Sequence, residues 1–111
     1  MEISQKHEGK IAVLAPAGRI DNETSPSFQA KLLNAVGDGK APVIVDLAGV
    51  EYISSAGLRA LMMASKKAKA AGTRLAVAAL TPMVNEIFTI SRFSLVVQVF
   101  ETVGEATAAL N

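Results

Sequence analysis

The densest run of polar and small residues is Asp46-Leu47-Ala48-Gly49-Val50-Glu51-Tyr52-Ile53-Ser54-Ser55-Ala56-Gly57-Leu58. It closes an apolar run and opens a long amphipathic one, so it reads as a strand end, a loop and a helix start. In α/β folds this edge, beyond the carboxyl ends of the strands, is where sites usually form. A serine hydroxyl at a helix start can satisfy a free backbone N–H, and an anion there is favoured by the unpaired amides and the helix dipole. One serine suffices for a cap. Ser54 and Ser55 therefore leave one hydroxyl without a necessary structural task, unless both serve only the cap. Ala56-Gly57 adds little bulk beside it, so Ser55 is accessible in principle to a nucleophilic or a binding role.

The nucleophilic reading lacks support elsewhere in the chain. The G-x-S-x-G elbow is missing, and a Ser-His-Asp assembly would have to recruit His7, the sole histidine, from the far N-terminus. His7 belongs to no metal-ligand motif and is expected in solvent on an edge strand. Neither G-x-x-x-x-G-K nor G-x-G-x-x-G occurs, so no phosphate-cradling loop for ATP is expected, and no cofactor or metal. With 11 Lys+Arg against 10 Asp+Glu the net charge is +1, which gives no electrostatic reason to expect nucleic acid. The chain has no cysteine, so disulfides, thiolate metal sites and a cysteine nucleophile are excluded. The polar N-terminus has no apolar segment after it, and no apolar run approaches the roughly 18 residues of a membrane span. A soluble, cytoplasmic protein with no membrane association is expected.

The elements that must position Ser55 follow from hydrophobic period and turn residues. At 111 residues, half of them hydrophobic and 19% charged, the chain is one domain, residues 1–111, with enough apolar material for its own core. An edge strand over 3–8 and a Gly9-Lys10 hairpin lead into a strand over 11–15, and 18–22 reads as a loop. Thr24-Ser25-Pro26 opens a helix over 23–36, with Phe28, Leu32, Ala35 and Val36 on one stripe, and Gly37-Asp38-Gly39 stops it. The β-branched run 43–47 predicts a central strand buried on both faces. Ser54 or Ser55 caps a helix to about residue 71, with Leu58, Leu61, Met62, Ser65 and Ala68 inward and Arg59, Met63, Lys66, Lys67 and Ala70 outward. The cluster Lys66-Lys67-Lys69 is a solvated face that could also touch an acidic partner. Exposed Met63 beside Arg59 suits a protein-binding patch, although burial under the preceding loop would serve it equally. A strand over 74–80, a helix from Thr81-Pro82 to 92, a strand over 96–100 and a helix over 104–110 complete the order ββαβαβαβα. The expected fold is α/β, a mixed four- to five-stranded sheet covered by about four helices.

Val45-Asp46-Leu47-x-x-Val50-x-x-Ile53-Ser54-Ser55-Ala56-Gly57-Leu58 resembles the signature of the STAS domain family, in particular small bacterial anti-sigma factor antagonists. Gly18-Arg19-Ile20-Asp21 is similar to a second family motif, and the region from Ile87-Phe88 to Phe100, with Glu105-Ala106, resembles its C-terminal pattern. The resemblance implies a non-enzymatic partner switch in transcription regulation. Unphosphorylated protein binds an anti-sigma factor that is also a serine kinase, the kinase phosphorylates Ser55, and a PP2C-type phosphatase reverses the step. Ser54 stands where the best-known members carry Asp, which removes a charge beside the acceptor and creates a second candidate, Ser54. The implied partner surface comprises Asp21, Asp46, Ser54 and Ser55, with Arg59, Met63 and Lys66 on the outer helix face. With Asp21 and Asp46 flanking the acceptor, no compensating cation is expected beside a phosphoryl group. A monomer or weak homodimer is expected. The alternative is a STAS adaptor subunit of a transport or sensor complex, without phospho-switching.

Overall fold

Gly9 takes φ +62°, a left-handed conformation that costs glycine little, and with Lys10 it folds β1 (Glu2–Glu8) back onto β2 (Ile11–Ile20). The pair is antiparallel from Glu8↔Ile11 to Glu2↔Ala17. The computed structural model describes residues 1–39 and 41–111. Every other strand contact is parallel. β3 (Val43–Asp46) lies between β2 and β5 (Leu75–Ala78), β6 (Gln98–Phe100) follows β5, and the sheet order is β1-β2-β3-β5-β6. The helices are α1 (Ser25–Val36), α2 (Ser55–Ala70), α3 (Pro82–Ser91) and α4 (Val103–Leu110), with a 3-10 turn at Phe93–Leu95.

A period of two divides the interior into two layers. Ala12 and Leu14 of β2, Val43 and Val45 of β3, and Leu75 and Val77 of β5 pack with Phe28, Leu32, Leu61, Val84 and Phe88 of the first three helices. Ile11, Val13, Ile44, Ala76 and Ala78 point the other way, against Ala106 and Leu110 of α4. β3 is thus buried on both faces, as its β-branched run requires. On α1 the stripe Ser25, Phe28, Leu32 and Val36 is buried, and burying each large apolar side chain contributes about 1.5–3 kcal/mol. The rings of Phe88 and Phe93 meet edge to face at 5.2 Å, joining α3 to the 3-10 turn.

The structure has six strands among the described residues, one beyond the expected range. The addition is β4 (Val50–Ile53), which pairs in parallel with the last part of β2, from Gly18↔Val50 to Ile20↔Ile53. Residues 18–20, read from sequence as loop, are therefore strand. β2 pairs with β3 through residues 12–14 and with β4 through residues 18–20, so Pro16 sits in the gap where one neighbour hands over to the next. A proline is tolerated there because that stretch has no ladder partner on this side. Two other strands are shorter than their apolar runs. Ala79, at φ +60°, ends β5, and the 3-10 turn after Arg92, at φ +57°, delays β6 to Gln98.

Candidate functional site

Ser54 and Ser55 divide two tasks between them. Ser54 is extended, at φ −87° and ψ 173°, and its Oγ accepts a hydrogen bond from the Gly57 N–H at 3.2 Å. Its own N–H donates to the Ile20 carbonyl at 2.8 Å and its carbonyl accepts from the Leu58 N–H at 2.9 Å. Ser54 is the N-cap of α2, tied by its backbone to the end of β2. Ser55 is the first helical residue; it is exposed, and its hydroxyl has no hydrogen-bond partner among the described residues.

Gly57 explains why the helix starts so close to the sheet. A Cβ on it would lie 2.6 Å from Ile53 Cγ1 and 2.7 Å from Ile20 Cγ2, both on buried side chains. The first turn of α2 therefore rests directly on the ends of β4 and β2, which holds Ser55 at the sheet's carboxyl edge. Farther along, Ala60, Ala64 and Ala68 continue the buried small-residue face. Thr81 fixes β4 from the other side: its Oγ1 donates to the Val50 carbonyl at 2.9 Å while accepting from the Val84 N–H that opens α3.

Asp21 is adjacent to this edge, since Ile20 is in register with Ile53. Its Oδ1 accepts from the N–H of Glu23 at 2.9 Å and of Thr24 at 3.1 Å, while Thr24 Oγ1 accepts from the Asp21 N–H at 2.8 Å. This reciprocal pair caps the turn that leads into α1 and accounts for Thr24 being already helical at φ −93° and ψ −20°. The Thr24 backbone N–H is the main force holding the Asp21 carboxyl below its usual pKa; desolvation opposes it, and the Glu23 N–H, the Thr24 hydroxyl and Arg19 add to it.

Arg19 brings a cation to this edge, in a groove that Ser54, the residue before the acceptor, also lines. Its guanidinium lies 4.5 Å from the centroid of the Tyr52 ring, because Arg19 and Tyr52 are register partners on β2 and β4. Arg19, Asp21, Asn22, Glu23, Tyr52 and Ser54 line a shallow groove of about 390 Å³. Arg19 and Tyr52 escaped the sequence reading because only the register of β4 brings them together.

Asp46 does not join the cluster. Its partner in register is Ala78, and its Oδ1 accepts from the Ala48 N–H at 3.0 Å, so it shapes the turn between β3 and β4. Val45 aligns with Leu14 and Ile53 with Ile20, a separation of about 20 Å along β2 at a strand's rise per residue. His7, on β1 and in register with Ala12, is exposed beside the opposite end of β2, about 30 Å from Asp21 on that measure. A Ser55–His7 nucleophile pair is therefore geometrically excluded.

On α2, Arg59, Met63 and Lys66 are exposed and recur at helical spacing from Ser55, so all four share one face. Met63 is 43% exposed and touches α1 through Gln29 Nε2, 3.4 Å from its sulfur. Lys67 belongs to a different task than a solvated face: its Nζ donates to the Leu33 carbonyl at 3.0 Å, near the C-terminus of α1, where the helix dipole favours a cation.

Such an arrangement defines a small α/β domain, in which a mixed sheet and a sheet-seated helix start display the unengaged Ser55 hydroxyl and a basic helix face. The comparisons agree. Residues 2–106 match the STAS domain model, and the chain belongs to the STAS domain family. BtrV of Bordetella bronchiseptica, described as a candidate anti-sigma factor antagonist, is 33% identical over 92 residues, covering 83% of this chain and 79% of that protein. An anti-sigma factor antagonist structure from Mycobacterium paratuberculosis superposes with a TM-score of 0.88 at 22% identity, over 98% of this chain and 92% of that one. SpoIIAA, an anti-sigma factor antagonist, matches in its unphosphorylated form with a TM-score of 0.80 at 17% identity, covering 97% and 95%. The Bacillus cell-fate determinant SpoIIAA in its phosphorylated form matches with a TM-score of 0.74 at 16% identity, covering 99% and 100%.

Proposed function

We propose that this chain is an anti-sigma factor antagonist working as a phosphorylation-controlled partner switch. The carrying observation is the unengaged Ser55 hydroxyl, one residue past a cap that Ser54 already provides. Unphosphorylated, the domain binds an anti-sigma factor that is also a serine kinase, through the Ser55 edge and the Arg59, Met63 and Lys66 face. The kinase positions ATP so that Ser55 Oγ displaces ADP from the γ-phosphorus and loses its proton to a kinase base. A PP2C-type phosphatase hydrolyses the ester and restores the binding form. In this cycle the chain is a substrate and a binding partner, and the cycle runs in the cytoplasm, where ATP is available.

The phosphoryl group adds a charge of about −1.5 to −2 at a helix N-terminus, which free amides and the dipole tolerate, so the fold is expected to survive it. The effect falls on the complex, where that charge has to be desolvated at the contact. Phosphopeptide mapping after incubation with kinase and ATP tests the assignment. Label is expected on Ser55 and absent from Ser55→Ala, which still binds the kinase; undiminished label in that variant would transfer the site to Ser54.

A further inference from the structure

A second cavity, of about 330 Å³, opens at the opposite end of α2, between its last turns, the entry to β5 and the 3-10 turn before β6. This volume is at the lower end of small-molecule sites. Lys69 and Arg74 supply two cations and no carboxylate lines the space. The ion pair the described residues form is Lys6–Glu8, on β1, so neither cation is neutralised by an acidic side chain. Nor is Lys69 needed for the C-terminal carbonyls of α2: those of Lys67, Ala68 and Lys69 accept from the N–H groups of Ala71, Gly72 and Thr73. Arg74 spends one contact, Nη2 to the Ala109 carbonyl at 3.3 Å, and keeps its other donors.

Ser65 supplies an independent observation. It is 4% exposed, and its hydroxyl has no hydrogen-bond partner among the described residues. No fully enclosed side-chain polar atom among them is left unpaired, so the residual exposure of Ser65 opens to the cavity it lines. A buried hydroxyl aimed into a space with two free cations is a donor waiting for an acceptor. Ser94 and Gln98 add polar groups, while Leu95, 84% exposed, gives the same space an apolar wall.

We infer that this cavity binds a small organic anion, its phosphate or carboxylate held by Lys69, Arg74 and Ser65 and its apolar part against Leu95. The inference is independent of Ser55 phosphorylation. Titrating isotope-labelled protein with phenyl phosphate, benzoate, inorganic phosphate and benzyl alcohol, read by amide chemical shifts, tests it. Saturable shifts are expected at Ser65, Lys69, Ser94 and Gln98 with phenyl phosphate, benzoate or both, and weaker binding of the other two probes. Lys69→Gln should weaken the organic anion about tenfold, the scale of one charge-assisted hydrogen bond, and Ser65→Ala should weaken it less. Arg74 also holds α4, so Lys69→Gln carries the test if Arg74→Gln unfolds. Shifts scattered over other lysines, affinity unchanged in Lys69→Gln, or equal binding of benzyl alcohol or inorganic phosphate would overturn the inference.

Discussion

Two adjacent serines of identical chemistry carry different consequences because one is a cap and the other follows it. Ser54→Ala removes the acceptor for the Gly57 N–H and should cost about 1 kcal/mol of stability, as cap removals do, while Ser55→Ala should stay within about 0.5 kcal/mol. Urea unfolding of the two variants measures the difference. Asp21 adds a pH dependence of known sign. Its folded-state carboxyl titrates below the unfolded one, so its contribution is present above the ordinary carboxylate pKa of about 4 and is lost as pH falls through the native value. The stability gap between the wild type and Asp21→Asn should therefore be present at pH 7 and close on acidification, as followed by thermal unfolding at several pH values. The serine pair, one hydroxyl for the cap and one to spare, was legible from residue type alone. The Arg19–Tyr52 contact was not, since nothing in a linear reading pairs residues 33 positions apart before their strands are aligned.

Elements decide where those residues end up. The hairpin, the doubly buried β3, the four helices and the alternation of helix and strand followed from period and turn chemistry. β4 did not, because four residues with Glu51 among them, following Gly49, read as the loop that a strand-to-helix crossing needs anyway. Its partner was hidden too, since Pro16 suggests that the second strand stops, and only the change of neighbour beside it lets β2 continue to Ile20. That hidden strand seats α2. Gly57→Ala drives a methyl group into Ile53 and Ile20 and should cost about 1–3 kcal/mol, read by chemical denaturation, with a loss of order at the Ser55 edge visible in amide exchange. The exposed face of the same helix should behave oppositely. Arg59→Glu and Lys66→Glu are expected to leave unfolding within about 0.5 kcal/mol while weakening partner binding, and unchanged affinity in both would remove this face from the interface.

The whole molecule separates its chemistry along the strand direction. Ser55, Asp21, Arg19 and Tyr52 gather at one end of β2 and β4, whereas His7 and the Lys69–Arg74 cavity lie toward the other. The groove that Ser54 lines, one residue before Ser55, holds two carboxylates, Asp21 and Glu23, against one cation, Arg19. On the isolated domain a phosphoryl group at exposed Ser55 is solvated, but in the proposed complex a docked partner has to displace that solvent, and the complex loses free energy that the isolated domain does not. The most direct test of the proposed switch is calorimetric titration of its proposed partner, a purified anti-sigma factor with serine kinase activity, without ATP, with unmodified and Ser55-phosphorylated protein of verified identical circular dichroism and thermal midpoint. Phosphorylation is predicted to weaken binding by at least about 30-fold, or about 2 kcal/mol. Equal affinity of the two forms would contradict the switch and leave Ser55 as an ordinary first residue of α2 in a constitutive adaptor.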